Sequence, residues 1–276
     1  MKITFLSDNK TEKSKCLAEW GLSILVESKG HKLLFDVGAS PIFARNAKKL
    51  GVELTDVEYV AISHGHYDHT DGMEAFCDIN QKASIYIHKD AIDEDYALDD
   101  DGSIEDVNYG IRWSEEFKNA VKPRLILTEG VTKINDNMTL VGNVPLLKEY
   151  PMTEKFFRRN LDGSFRDDPM DHEQFLVVEE DEGIYVISGC SHKGVMSIIA
   201  RVKDLFPNQR ILGFIAGMHL YPLSVSEQKK VVDTICNLNL ECVFPVHCTG
   251  MESIIMFKER LGDKCIIASA GESYDC

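Results

Sequence analysis

The stretch Ser63-His64-Gly65-His66-Tyr67-Asp68-His69-Thr70 places four metal-competent side chains, His64, His66, Asp68 and His69, within six residues. Neutral imidazole offers nitrogen and aspartate offers anionic oxygen, a mixture that suits zinc and also manganese or iron. The spacing divides the set. His64 and His66 sit at alternate positions and can face one cation, while Asp68 and His69 turn past it towards a second. Two such cations imply hydrolytic or group-transfer chemistry through a metal-activated water. A histidine-rich surface loop would explain one or two of these residues; all four, directly after an apolar run, point to a metal-binding loop.

The elements that must position this loop follow from the flanking pattern. Tyr59-Val60-Ala61-Ile62 reads as a buried strand ending in the cluster, and Gly65 allows the tight turn that gathers the ligands on one side. Residues 2–6 read as an edge strand, and 22–27 and 32–36 as a hairpin. A helix is expected from Pro41 to Leu50, opened by Ser40-Pro41 and stopped by Gly51. Another is expected from Thr70 to about Cys77, and a strand over 84–88. Towards the C-terminus the pattern predicts strands over 174–179 and 183–187, and a helix from Gly194 to Phe206 with Val195, Ile198, Ile199 and Val202 on one face. Beyond it lie a strand over 210–215, a helix over 224–238, a strand over 242–244, a helix from about Met251 to Leu261 and a short final strand. Both halves place histidines at strand ends. This order fits an α+β fold, an αββα sandwich of two mixed β-sheets with helices outside. Residues 1–276 are read as one domain, with an insertion or cap at about 91–171 that crosses the sheet edge and covers the site. In that stretch the pattern is irregular and acidic, and strand character returns only over 124–127 and 138–141.

Composition bounds the partners. The formal net charge of −15 opposes general binding to nucleic acid or to an anionic membrane, because phosphate contact needs clustered lysine and arginine. The start of the chain turns polar too soon for a signal peptide, and no apolar run approaches the roughly 20 residues that span a bilayer. A cytoplasmic protein is expected. Its eight cysteines form no Cys-x-x-Cys pair, so a structural zinc knuckle is not expected.

Taken together, Glu19-Trp20-Gly21-Leu22-Ser23, Leu34-Phe35-Asp36-Val37-Gly38, Ser63 to Thr70, Ser188-Gly189-Cys190-Ser191-His192, Gly217-Met218-His219-Leu220 and His247-Cys248-Thr249-Gly250 carry a family resemblance. The chain resembles the metallo-β-lactamase superfamily, and within it the branch described as 7,8-dihydropterin-6-methyl-4-(β-D-ribofuranosyl)-aminobenzene-5′-phosphate synthase-like. The likeness covers residues 17–74 and 172–252 and covers the insertion poorly. It implies a site for two divalent metal ions, zinc or alternatively manganese or iron. His64 and His66 would hold the first; Asp68, His69 and His247 would hold the second. Asp36 would orient the histidine loop by hydrogen bonds. Where most of the superfamily carries a bridging aspartate, this chain reads Gly189-Cys190. His192 is then taken as the remaining ligand of the first metal, with Cys190 beside it as a thiolate ligand or bridge. His172 is the alternative, and Asp168 comes after it.

Asp68 and His219 are the residues expected to act in catalysis, Asp68 assisting proton transfer and His219 contacting substrate or moving a proton. Arg158, Arg159 and Arg166 would bind a phosphate, and His172 would line the entrance. The leading expectation is a metal-dependent hydrolase acting on a small phosphorylated or ester substrate. The alternative is a metal-dependent transferase or synthase of pterin biosynthesis, in which Phe156, Phe157 and Phe165 stack on a flat heterocycle. A binding module that keeps the metals without turnover is a third reading.

Overall fold

The computed structural model describes residues 1–99 and 101–276. Two sheets face each other. The first contains β1 (Lys2–Ser7), β2 (Ser23–Ser28), β3 (His31–Phe35), β4 (Tyr59–Ala61), β5 (Ser84–His88), β7 (Leu125–Thr128) and β16 (Ser273–Asp275), in the order β16-β1-β2-β3-β4-β5-β7. Its first four strands pair antiparallel and its last four parallel. The second contains β8 (Val131–Lys133), β9 (Met138–Val141), β12 (Phe175–Glu180), β13 (Gly183–Ser188), β14 (Ile211–Gly217) and β15 (Cys242–Val246), in the order β15-β14-β13-β12-β9-β8. The expected αββα sandwich is present. The expected edge strand is not an edge: β1 lies between β2 and the C-terminal β16, which takes the edge instead.

Alternation along the strands sends one set of side chains between the sheets and the other set outward. Ile3, Phe5, Ile24, Val26, Leu33 and Phe35 meet Leu140, Leu176, Ile187, Ile215, Phe244 and Val246 in the inner core. On the outer face of the first sheet pack α1 (Ile42–Leu50), α3 (Met73–Ile79) and α4 (Glu115–Val121), through residues such as Phe43, Phe76 and Phe117. On the outer face of the second lie α5 (Val195–Leu205), α6 (Val225–Cys236) and α7 (Met251–Leu261), through Ile198, Val232 and Phe257 among others. Val195, Ile198, Ile199 and Val202 are all buried, as the period of α5 predicts.

The helix expected over 70–77 is in fact two. A single turn, α2 (Tyr67–Thr70), carries Asp68 and His69, and α3 restarts at Met73. The break falls at Gly72, where an added Cβ would lie 2.0 Å from the Val37 carbonyl oxygen. Close passage of Val37 and Gly38, not helix propensity, sets the boundary.

Residues 91–171 divide among three structures. β7 joins the first sheet, and β8 and β9 join the second. The short β6 (Tyr96–Ala97) pairs with β10 (Phe156–Arg159), which pairs with β11 (Phe165–Asp168), forming a small third sheet beside the metal loop. No helix among the described residues is long and apolar enough to cross a membrane.

Candidate metal centre

The site lies where strands of both sheets end. β4 delivers the loop Ser63–His66 and then α2; β13 delivers Gly189–His192; β14 delivers His219; β15 delivers His247. Several of these residues hold left-handed backbone that bends the chain sharply at the strand end, with φ of 59° at Ser191, 46° at His219 and 51° at His247. For residues other than glycine such conformations are uncommon and cluster at functional sites.

Two sets of buried donors converge. In one, the ligand atoms of His64, His66 and His192 all lie within 4.8 Å of one another; in the other, so do those of Asp68, His69, Cys190 and His247. His64 Nε2 and His192 Nε2 face each other at 3.3 Å, and His69 Nε2 lies 3.1 Å from Cys190 Sγ. His247 Nε2 stands 3.2 Å from an Asp68 oxygen without an aligned hydrogen bond, and neither it nor His192 Nδ1 has a hydrogen-bond partner.

The remaining nitrogens are held from behind. Asp36, fully buried, accepts from the Ser63 amide and hydroxyl and meets His69 Nδ1, each at 2.7 Å. Ser63 Oγ in turn sits 2.9 Å from His64 Nδ1. His66 Nε2 lies 2.9 Å from Asp95, which leaves its Nδ1 to face the site. His247 Nδ1 meets Asn9 at 2.8 Å, and its amide donates to Asp8. Glu173 accepts from the amides of His192 and Lys193, fixing the second loop. In this arrangement His64, His66, His69 and His247 each have one ring nitrogen anchored from behind and the other left free, the pattern found around metal-binding histidines.

The electrostatics agree with cation binding. Burial and the neighbouring imidazoles push His64 and His192 well below the ordinary histidine pKa, so both are neutral and able to donate a lone pair. Burial would raise Asp68, but His69 and His247 overcome it and hold the carboxyl far below its usual range. Burial pushes the Cys190 thiol well up, so a thiolate at this position requires a cation beside it. Three nitrogens in one set, and nitrogen, carboxylate and sulfur in the other, fit two divalent ions of the zinc class.

His172 stands apart from both sets. Its Nδ1 accepts from the Gly65 amide at 3.1 Å, which puts the ring proton on Nε2, 3.3 Å from Asp168. With Nδ1 taken, His172 has only Nε2 to offer, which lies with Asp95 and Asp168 and not with either histidine set, and His172 does not line the cavity. Asp168 is likewise occupied, accepting from Arg158 Nε at 2.6 Å. Arg158 is not available to a phosphate either. Its other donors reach Asp93 and the Asp90 carbonyl, and it is buried. Arg159 pairs with Asp106 and lies over the rings of Tyr96 and Phe165, and Arg166 is exposed on β11. None of the three arginines lines the cavity over the metal ligands. Of the three phenylalanines expected to stack on substrate, only Phe156 lines the cavity, at ring distances of 4.7 Å from His66 and 4.8 Å from His192; Phe165 packs on Tyr96.

The cavity itself has a volume of about 260 Å³, and His66, Asp68, Cys190, His192 and His247 of the two donor sets line it. His219 is in its wall, 4.5 Å ring to ring from His192, with Nε2 bonded to Glu154 at 2.6 Å. Burial lowers the His219 pKa, but Cys248 and Glu154 outweigh it and push it up to about 10. Glu154, Asp95, Glu173, Asp8 and Asn9 were not singled out from sequence, and Trp20 was noted only within the family motif, with no role at the site. For Asp8 and Asn9 a signal existed, a polar pair at the end of β1. For the others the partner is distant in the chain and no local pattern marks it.

The family model described as the metallo-beta-lactamase superfamily matches residues 21–203. An uncharacterised protein of Methanocaldococcus jannaschii is 33% identical over 91% of this chain and 92% of its own length. The 7,8-dihydropterin-6-methyl-4-(beta-D-ribofuranosyl)-aminobenzene-5'-phosphate synthase of the same organism is 25% identical over 93% and 90%. A crystal structure described as a metal-dependent hydrolase of the beta-lactamase superfamily superposes with a TM-score of 0.84 at 33% identity, covering 100% of this chain and 99% of that one.

Proposed function

Because the chain belongs to the metallo-β-lactamase superfamily, we propose that it is a metal-dependent hydrolase with a dinuclear site, acting on a small ester or phosphorylated molecule. The observation that carries this reading is the pair of abutting donor sets on one cavity floor. His64, His66 and His192 would hold one cation, and Asp68, His69, Cys190 and His247 the other. Bound there, divalent cations of the zinc class supply an acidified water and neutralise charge developing on the substrate oxygen. The chain supplies the rest. Asp36 and Ser63 keep His64 and His69 in the orientation that points their free nitrogens inward. Asp68, ionised throughout the neutral range, would accept a hydrogen bond from the attacking water and so orient it for proton transfer while holding its cation. His219, held by Glu154, places a charged donor in the wall where a leaving oxygen would need one.

Chromogenic phosphodiesters and carboxylic esters, assayed with added Zn²⁺ or Mn²⁺, test the proposal. Turnover is expected with at least one class, and His64→Ala is expected to lower bound metal and abolish that turnover. Wild-type metal content and rate in this variant would remove the site from consideration. A second reading, a pterin-type transferase or synthase, draws on the aromatic walls at Trp20, Tyr109, Phe156 and Tyr221 and on the similarity to the synthase. Its expected signature is silence in the ester panel together with tight binding of a pterin.

A further inference from the structure

A second cavity adjoins the metal cavity. It has a volume of about 320 Å³ and is walled mainly by apolar side chains, among them Met152, Val195, Met196, Met218, Leu220 and Val231. Two short segments serve both cavities. Met218 and Leu220 line the second, while His219 between them, with its left-handed backbone at φ 46°, lines the first. Met152 and Thr153 line the second, while the next residue, Glu154, lines the first and is bonded to His219 Nε2 at 2.6 Å. The polar character of the second cavity is sparse. Thr153 Oγ1 is buried and has no hydrogen-bond partner. A hydroxyl left in this state costs free energy that a bound partner would recover. The exposed residues of the lining include Glu149, Glu227 and Lys230. Lys230 Nζ is already engaged, donating to the Glu149 carbonyl at 3.1 Å and lying 4.5 Å from the centre of the Tyr150 ring. The Glu227 carboxylate accepts from the Ser224 amide at 3.0 Å.

We propose that this cavity is a second binding site, for a small neutral molecule with an apolar body and one hydroxyl or carbonyl oxygen, and that its occupant bears on the Glu154–His219 pair. Size sets the scale of the occupant. An apolar cavity of about 150 Å³ accepts benzene, so one of about 320 Å³ accommodates roughly ten non-hydrogen atoms. Met152, Met196 and Met218 give the walls an unbranched, polarisable surface that adapts to an irregular apolar body. The Thr153 hydroxyl marks the place of the single oxygen, since it can donate to a carbonyl or pair with another hydroxyl. Charge decides against an anion. One engaged ammonium faces two carboxylates on the exposed side, and beside Thr153 a charged head would be buried without a counter-ion. The occupant would pack on Met152, Met218 and Leu220, whose chain neighbours Glu154 and His219 form the pair in the wall of the metal cavity. This site goes beyond the reaction proposed above and does not depend on it.

The test is a binding measurement on the zinc-loaded protein with two probes of matched body, octan-1-ol and octanoate. Calorimetry reads the affinity, and the ring resonances of His219 read the contact with the shared wall. Octan-1-ol is expected to bind saturably at one site, about tenfold more tightly than octanoate, and to shift the His219 resonances. Thr153→Val keeps the side-chain shape and removes the hydroxyl. It is expected to weaken octan-1-ol about fivefold and to leave bound zinc unchanged. Met152→Trp, a substitution outside any helix or strand, is expected to fill the cavity and abolish binding. Should that variant fail to fold, the Thr153→Val comparison still decides. Tighter binding of octanoate, no saturable binding of octan-1-ol, an unchanged affinity in Thr153→Val or undiminished binding in folded Met152→Trp overturns the site. Saturation that leaves His219 unshifted overturns its link to the metal cavity. None of these outcomes involves turnover, so a silent ester panel would remove the hydrolase reading and leave this site standing.

Discussion

His192 and His172 both follow the same loop and both end within a few ångströms of the histidine cluster, yet their hydrogen bonds give them different work. His192 presents Nε2 to His64 Nε2, whereas His172 has its two nitrogens committed to the Gly65 amide and Asp168. His192→Ala is therefore expected to lose metal. His172→Ala is expected to retain metal but with weakened affinity, because the Gly65 amide loses its acceptor and the loop its anchor; partners of this kind typically cost about 10–100-fold. Metal titration of the two variants checks the pair, and the reverse order of losses would exchange their roles. The metal cluster itself was legible because its residues are local: His-x-His-x-Asp-His after an apolar run needs no tertiary information. The residues that support it were not, since Asp95, Glu173 and Glu154 each acquire their importance from a partner 19 to 65 positions away.

Among the elements, the small β6-β10-β11 sheet is coupled to the metal loop through one side chain. Arg158 of β10 joins Asp168, Asp93 and the Asp90 carbonyl; Asp168 passes the contact to His172, and His172 to Gly65. Breaking such a buried pair leaves a carboxylate without its cation, so Arg158→Ala is expected to cost about 3–5 kcal/mol in chemical denaturation. Arg158→Lys is expected to rescue only part of this, because one ammonium cannot reach three acceptors on separate segments. A denaturation midpoint unchanged in both variants would show that the small sheet is seated by other contacts. Gly65 is the companion case. An added Cβ would lie 2.2 Å from the Ala91 carbonyl oxygen, so Gly65→Ala is expected to displace the loop and lower metal content even though it removes no ligand. Regular elements were readable from periodicity wherever one face packs on a sheet, as in α5. Periodicity failed where a close backbone passage decided the outcome, at Gly72, and where short strands of the 91–171 stretch take their places by pairing with distant partners.

At the scale of the whole molecule, the sandwich splits its ligands between halves. His64, His66, Asp68 and His69 come from the first sheet, and Cys190, His192 and His247 from the second. The αββα order was legible because strands and helices alternate similarly in both halves; the pairing of β1 with β16 was not, because a three-residue strand at the end of the chain has no pattern of its own. The inner core of phenylalanine, leucine, isoleucine and valine holds the sheets together without help from the site. Cations held by the two donor sets would nevertheless add a constraint of another kind. His69 and Cys190 are 121 residues apart in sequence, and His64 and His192 are 128 apart. A cation shared by either pair ties off a loop of that length, as a covalent staple would. For a chain crosslink closing a loop of about 100 residues, the entropy removed from the unfolded state corresponds to roughly 4–5 kcal/mol. Residual binding of metal by the unfolded chain reduces this. Chelation is thus expected to lower the melting temperature of the entire sandwich in a single transition, and His64→Ala to make the protein insensitive to chelator at that loop. A metal centre at these residues would in this sense also be a knot in the chain, one that untying would loosen far from the cavity, in strands that never touch it.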